Sequence, residues 1–225
     1  MKLSGAGRNS SPPVFALDCT RCPRLAAHLA EVRLEHPDYH ARPVPPFGDS
    51  RPGLLIVGLA PGMHGANRTG RPFTGDHAGI LLYDTLHRYG FGSQPIAVAT
   101  DDGLVLQGCR ITNAVKCLPP QNKPLPAEIR VCNAYLRAEL QALAPPAVLA
   151  LGTVAHQAVL RACDERIADF PFAHGARHRL GGGMRLFDSY HCSRYNTQTR
   201  RLTPGMFRQV FADIRSYLDR RADIG

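Results

Sequence analysis

Four short apolar or half-apolar runs set the frame of this chain: Leu54–Gly58, Arg110–Ala114, Ala147–Leu151 and Arg185–Tyr190. Each is too short for a core helix and about the length of a buried strand. Helical patterns lie between and after them. Residues 77–90 end in Gly90, a natural C-cap. Residues 126–143 open with Pro126, suited to a first helical turn. A shorter pattern covers 153–163, and 203–221 gathers Met206, Phe207, Val210, Phe211, Ile214, Tyr217 and Leu218 on one stripe. The segment PIAVATDDGLVLQG predicts a hairpin around Asp102-Gly103. Strands alternating with helices predict an α/β fold, a parallel sheet with helices on both faces. Ligands in such folds bind beyond the C-terminal ends of the strands.

The loop after the first strand is GLAPGMHGANRTGRPFTGD, Gly58 to Asp76. A phosphate cradle would read G-x-x-x-x-G-K-S/T, and that lysine is missing. The glycines at 58, 62, 65 and 70 also miss the dinucleotide spacing G-x-G-x-x-G. The loop carries Asn67, Arg68, Arg71, Phe73 and a terminal Asp76, a composition suited to something flat and polar. The second and fourth strand exits are also polar: VKCLPPQNKPLP and HCSRYNTQTRRLTP.

The formal net charge is +9 with histidine neutral, which points toward nucleic acid or another anionic surface. No apolar run reaches the roughly 18 residues a membrane span needs. The start, MKLSGAGRNSSPPVFALD, lacks the apolar centre of a secretory signal. Residues 1–13 are expected to be a flexible arm, and 14–225 a single domain. Seven cysteines, an odd number, argue against a disulfide framework and for a reducing, cytoplasmic setting. Cys19 and Cys22 form a C-x-x-C pair, and Cys117 and Cys132 follow at a strand exit and in the next helix. Four thiolates suit structural zinc or a 4Fe-4S cluster, and spacing does not choose between them. Cys109, Cys163 and Cys192 lack partner spacing and read as core or incidental.

The segments GLAPGMHGANRTGRPFTGD, TNAVKCLPP and YHCSRYNTQTRRLT resemble the family 5, or type B, uracil-DNA glycosylases. The likeness runs in order from about Cys19 to Phe207. It implies a three-layer α/β/α sandwich around a four-stranded, mainly parallel sheet, in a monomer that flips uracil out of DNA and cuts its N-glycosidic bond, initiating base excision repair. The cysteine pattern matches families 4 and 5, which carry a 4Fe-4S cluster, and so favours iron over zinc. The resemblance makes the glycine-rich loop a base pocket, with Gly58, Ala60 and Gly62 letting backbone approach base and sugar. Phe73 would stack on the extruded ring, or serve only as core. Asn113 would pair with O4 and N3–H of uracil, or brace a turn. His191 would stabilise the leaving uracil anion, or be a satisfied core histidine. Arg68 and the segment Ser193, Arg194, Tyr195, Asn196, Thr197, Arg200 and Arg201 would meet DNA; the plainer reading is a solvated loop.

Two departures stand out. Family 1 enzymes place a water-activating Asp in this loop, where the chain has Ala60. Asp76 is the available carboxylate, as a catalytic group or simply as the N-cap of the next helix. Cys192 stands where relatives commonly have Pro, which leaves the turn after His191 less rigid. The implied substrates extend to hypoxanthine and other deaminated bases. The competing reading is a non-catalytic nucleic-acid-binding module stabilised by zinc or a cluster.

Overall fold

The computed structural model describes residues 15–222. The arm expected over 1–13 lies outside the described residues. Six strands form one sheet: β1 (Phe47–Gly48), β2 (Leu54–Gly58), β3 (Cys109–Asn113), β4 (Ala147–Leu151), β5 (Arg177–Arg179) and β6 (Arg185–Ser189). Their order is β1-β3-β2-β4-β6-β5. The helices are α1 (Pro23–Glu35), α2 (Ala66–Thr69), α3 (His77–Arg88), α4 (Pro126–Leu143), α5 (Thr153–Ala162), α6 (Arg194–Gln198) and α7 (Pro204–Ala222).

The four expected strands are the parallel centre, β3-β2-β4-β6. The expectation of four strands falls short at the edges: β1 pairs antiparallel with β3, and β5 with β6. Neither edge has an apolar run to announce it. β1 has two residues, and β5 is Arg-His-Arg.

Side chains alternate across a strand, and the alternation divides the core. Leu54, Ile56, Ile111, Leu149 and Phe187 pack on Leu82 and Leu86 of α3 and on Phe207, Phe211 and Ile214 of α7. Leu55, Val57, Val148, Ala150 and Leu186 face α4 and α5 through Leu136, Leu140, Ala155 and Val159. Helices therefore cover both faces. Strands β2 and β4 are buried along their whole length, as parallel strands covered on both faces must be. A third cluster joins Leu25, Leu29 and Val32 of α1 to Val115, Leu118 and Tyr135.

The hairpin expected around Asp102-Gly103 does not form. One bridge, Gly92 to Leu106, is all the pairing that segment makes. The carboxylate of Asp102 instead accepts the backbone N–H groups of Val98, Ala99 and Leu104, which folds the segment around a point rather than a ladder. Arg71 closes the arrangement with two hydrogen bonds to Asp102, at 3.0 and 2.5 Å. Burial alone would raise the Asp102 carboxyl, but Arg71 and those N–H donors hold it well below the usual range. Arg71 is thus a buried structural cation, only 3% exposed, and not a ligand-facing residue of the loop. No helix among the described residues is long and apolar enough to cross a membrane.

Candidate active site

Strand register begins the site. Gly58, the last residue of β2, pairs with Asn113, the last of β3. A Cβ at Gly58 would lie 2.4 Å from the Asn113 side-chain oxygen and 2.7 Å from the ring of Phe73. Only glycine lets those two side chains meet over the strand ends. Phe73 takes φ +55°, the left-handed region that a phenylalanine rarely enters. Its ring is 5% exposed and belongs to the core, yet it also lines the cavity above β2 and β3. Core residue and cavity wall are one and the same side chain here.

That cavity has a volume of about 430 Å³. Ala60, Gly62, Phe73, Asp76, Asn113 and His191 line it, joined at the rim by Ser193 and Arg194. Gly58 lies beneath it. Asn113 is 3% exposed, and its side-chain oxygen has no hydrogen-bond partner in the protein. A buried amide oxygen left unpaired costs about 1–3 kcal/mol, which marks Asn113 as a group awaiting a partner.

His191 reaches the cavity from β6, on the far side of β4. The intervening exit is kept small by Gly152, at φ +93°, whose added Cβ would sit 3.6 Å from that of His191. The imidazole stacks on Phe73, centroids 5.8 Å apart and planes 28° off parallel. Burial pulls its pKa down to about 4, so the ring is neutral at pH 7. The Asn196 amide donates to the His191 carbonyl at 2.8 Å and pins the turn from below.

Asp76 caps α3: its carboxylate accepts the Gly79 N–H at 2.9 Å. Its other oxygen faces the glycines of the loop, and a Cβ at Gly65 would come within 2.6 Å of it. Burial raises the Asp76 pKa against the pull of the helix N–H groups.

The segment after His191 divides in two. Arg194, Tyr195, Arg200 and Arg201 are exposed, and the Arg201 guanidinium lies 4.6 Å over the Tyr190 ring. Ser193 and Asn196 are engaged inside: Ser193 caps α6 by accepting the Asn196 N–H. Thr197 donates to the Ser193 carbonyl and contacts His77 at 3.0 Å. Arg68 is exposed, its guanidinium donating to the His64 carbonyl at 2.8 Å. Sequence reasoning missed His77 and Asn122, which also line the cavity. The one available signal was position, beside Asp76 and in the second strand's exit.

A second concavity collects Cys19, Cys22, Cys117 and Cys132. Cys22 precedes α1, Cys117 follows β3, and Cys132 lies in α4. Cys109, Cys163 and Cys192 stand elsewhere, Cys109 and Cys192 buried in the main core. Burial pushes the Cys117 thiol up to about 12, and the neighbouring cysteines push it further the same way. Cys22 and Cys132 are raised chiefly by burial too. The Lys116 N–H donates to Cys132 Sγ at 3.3 Å, and the Tyr135 hydroxyl stands 3.2 Å from Cys19 Sγ. Arg24 makes two 2.7 Å hydrogen bonds to Glu128, fixing α1 against the start of α4.

Comparison with known proteins follows the same lines. The family model of the Uracil DNA glycosylase superfamily matches residues 45–215. A type-5 uracil-DNA glycosylase of Thermus thermophilus is 47% identical over 203 residues, covering 88% of this chain and 92% of that protein. One of Mycobacterium bovis is 44% identical over 221 residues, 94% of this chain and 82% of its own. A third, of Pyrobaculum aerophilum, is 44% identical over 191 residues and 83% of each chain.

Proposed function

The chain belongs to the uracil-DNA glycosylase superfamily, and we propose that it hydrolyses the N-glycosidic bond of uracil in DNA, with hypoxanthine and other deaminated bases as further substrates. The abasic product is the starting point of base excision repair. One observation carries the reading: a buried amide without a partner, Asn113, faces the same cavity as a Phe73–His191 stack.

A base inside a duplex is out of reach, so the nucleotide must rotate out of the stack at a cost of a few kcal/mol. Phe73 offers its ring to the extruded base. The Asn113 amide provides an acceptor and donors, which match N3–H and O4 of uracil and oppose the pattern of cytosine. As the bond to the sugar stretches, negative charge gathers on the base. The neutral His191 ring donates an N–H toward O2 and stabilises that charge. Asp76 caps α3 with one oxygen and orients the attacking water with the other. Arg68, Arg194, Tyr195, Arg200 and Arg201 meet the DNA directly. Ser193 and Asn196 contribute by shaping the turn that presents them.

The four clustered cysteines fit a 4Fe-4S group. Their thiols converge on one concavity, burial disfavours the free thiolates of Cys22, Cys117 and Cys132, and an N–H donor already faces Cys132 Sγ. Cys19, Cys22, Cys117 and Cys132 would hold the cluster, which supplies no step in hydrolysis and serves as a staple between the α1 region and α4.

The direct test is incubation with a single-uracil oligonucleotide followed by alkali. Strand breakage at uracil, and none in the matching thymine strand, is the expected result; intact strands would refute the assignment. Asp76 has its own test. Asn is nearly as good an N-cap as Asp, so Asp76→Asn keeps its melting temperature but excises about 100-fold more slowly. Asp76→Ala loses the cap as well, roughly 1 kcal/mol. Because burial raises the Asp76 pKa, wild-type rate falls as pH drops, starting above the ordinary Asp range. Full activity in Asp76→Asn would reduce Asp76 to a cap.

A further inference from the structure

We propose that His156, Asp188 and His178 form a binding site for one divalent transition-metal ion of the zinc class. They lie apart from the cavity and from the cysteines, on the α5 face of the sheet: His156 in α5, Asp188 in β6 and His178 in β5. Their donor atoms all lie within 4.8 Å of one another.

His156 Nε2 faces the Phe170 carbonyl at 2.8 Å. A carbonyl only accepts, so Nε2 carries the hydrogen. A neutral imidazole has a single N–H, which leaves a lone pair on Nδ1, 2.8 Å from Asp188 Oδ1. Two lone pairs do not meet at that distance unless a cation lies between them. A second proton would serve, and so would a metal ion.

Three features favour the metal. The other Asp188 oxygen faces His178 Nε2 at 3.0 Å, so two imidazoles and a carboxylate converge. Two histidines and a carboxylate are a zinc donor set, with a fourth position left for water. The bond from His156 Nε2 to a backbone carbonyl is how a metal-bound histidine is held in orientation. Finally, Asp188 is 0% exposed, and the rings of Phe172 and Phe170 pack edge-on against His156 and His178. A dry carboxylate demands a strong positive partner. Donors about 2.0–2.1 Å from a tetrahedral zinc stand about 3.3 Å apart. Binding therefore opens the two contacts by a few tenths of an ångström. His178, on the short edge strand with its side chain 12% exposed, is free to give way and leaves a route from solvent.

The experiment uses the purified protein with its cysteine site loaded, stripped of loose metal by chelator and desalted. Zinc chloride is titrated in at about pH 8, where protons compete least. The expected result is one further equivalent bound, with proton release and a higher melting temperature. His178→Ala, at the accessible edge, weakens that binding at least about tenfold and leaves the cysteine site's visible absorbance unchanged. Cobalt chloride gives d–d bands without sulfur-to-metal charge transfer, since no thiolate takes part. No zinc beyond the cysteine site, or equal zinc affinity in wild type and His178→Ala, would overturn the proposal and leave a proton between His156 and Asp188.

Discussion

His191→Ala excises uracil about 100- to 1,000-fold more slowly than wild type in single turnover, while duplex affinity stays close to normal. The asymmetry follows from when the charge forms. Before the glycosidic bond stretches, the base is neutral, and a hydrogen bond to O2 is worth little. In the transition state the ring carries most of a negative charge, and a fixed donor in a water-poor cavity is worth far more. Burial holds the His191 pKa near 4, so the donor is a neutral N–H throughout the neutral range. Its titration adds no inflection to the rate between about pH 6 and 9. Removing the ring also removes the Phe73 stack, so the melting temperature should be recorded beside the rate. His191→Gln, which keeps an amide donor, recovers part of the loss if the donor matters and none if only packing does. Near-normal excision by His191→Ala would end the electrostatic account.

Cys117→Ser or Cys132→Ser gives a colourless protein with a much lower melting temperature or little soluble yield. Structural metal sites bind with about 10 kcal/mol or more, comparable with the whole net stability of a domain, about 5–15 kcal/mol. The cluster of α1 with Val115, Leu118 and Tyr135 is the smallest of the three cores and surrounds the cysteines. Without the staple, limited proteolysis should cut first around α1. Cys163→Ser is the control and keeps its colour. Loss of colour in Cys163→Ser instead would show the ligand set to be wrong. A colourless wild type holding zinc on the same four residues would replace the metal and keep the ligands.

The parallel centre was legible because a strand buried on both faces has to be apolar throughout, as Leu54–Gly58 and Ala147–Leu151 are. The helix over Pro126–Leu143 matches its pattern residue for residue, since proline and periodicity mark it together. The edges were not legible: Arg177–Arg179 has no apolar residue, and only a neighbour's free hydrogen-bonding groups make it a strand. The Asp-Gly turn misled because Asp102 has buried partners remote in sequence, above all Arg71, and local propensity does not see them. The roles of the site residues came from resemblance, and their convergence on one cavity is the structure's contribution. Composition offered Arg71 to a ligand, and the resemblance offered Asn196 to DNA. Both spend their polar groups on the fold. The contact between His156 and Asp188 spans 32 positions and has no signature along the chain.

The cavity draws its walls from strands that are not neighbours. Gly58 and Asn113 end the adjacent pair β2 and β3, His191 follows β6, and β4 runs between them with only Gly152 at its end. On the proposed reading, the base is therefore recognised beyond β3 and its charge received beyond β6, the two sides meeting through the Phe73–His191 stack and the His77–Thr197 contact, with Asp76 on the β2 side. On that proposal, substitutions around Asn113 would change which base is read while the imidazole beyond β6 keeps its place. Such an arrangement would let the choice of lesion vary while the stabilisation of the leaving base stays fixed.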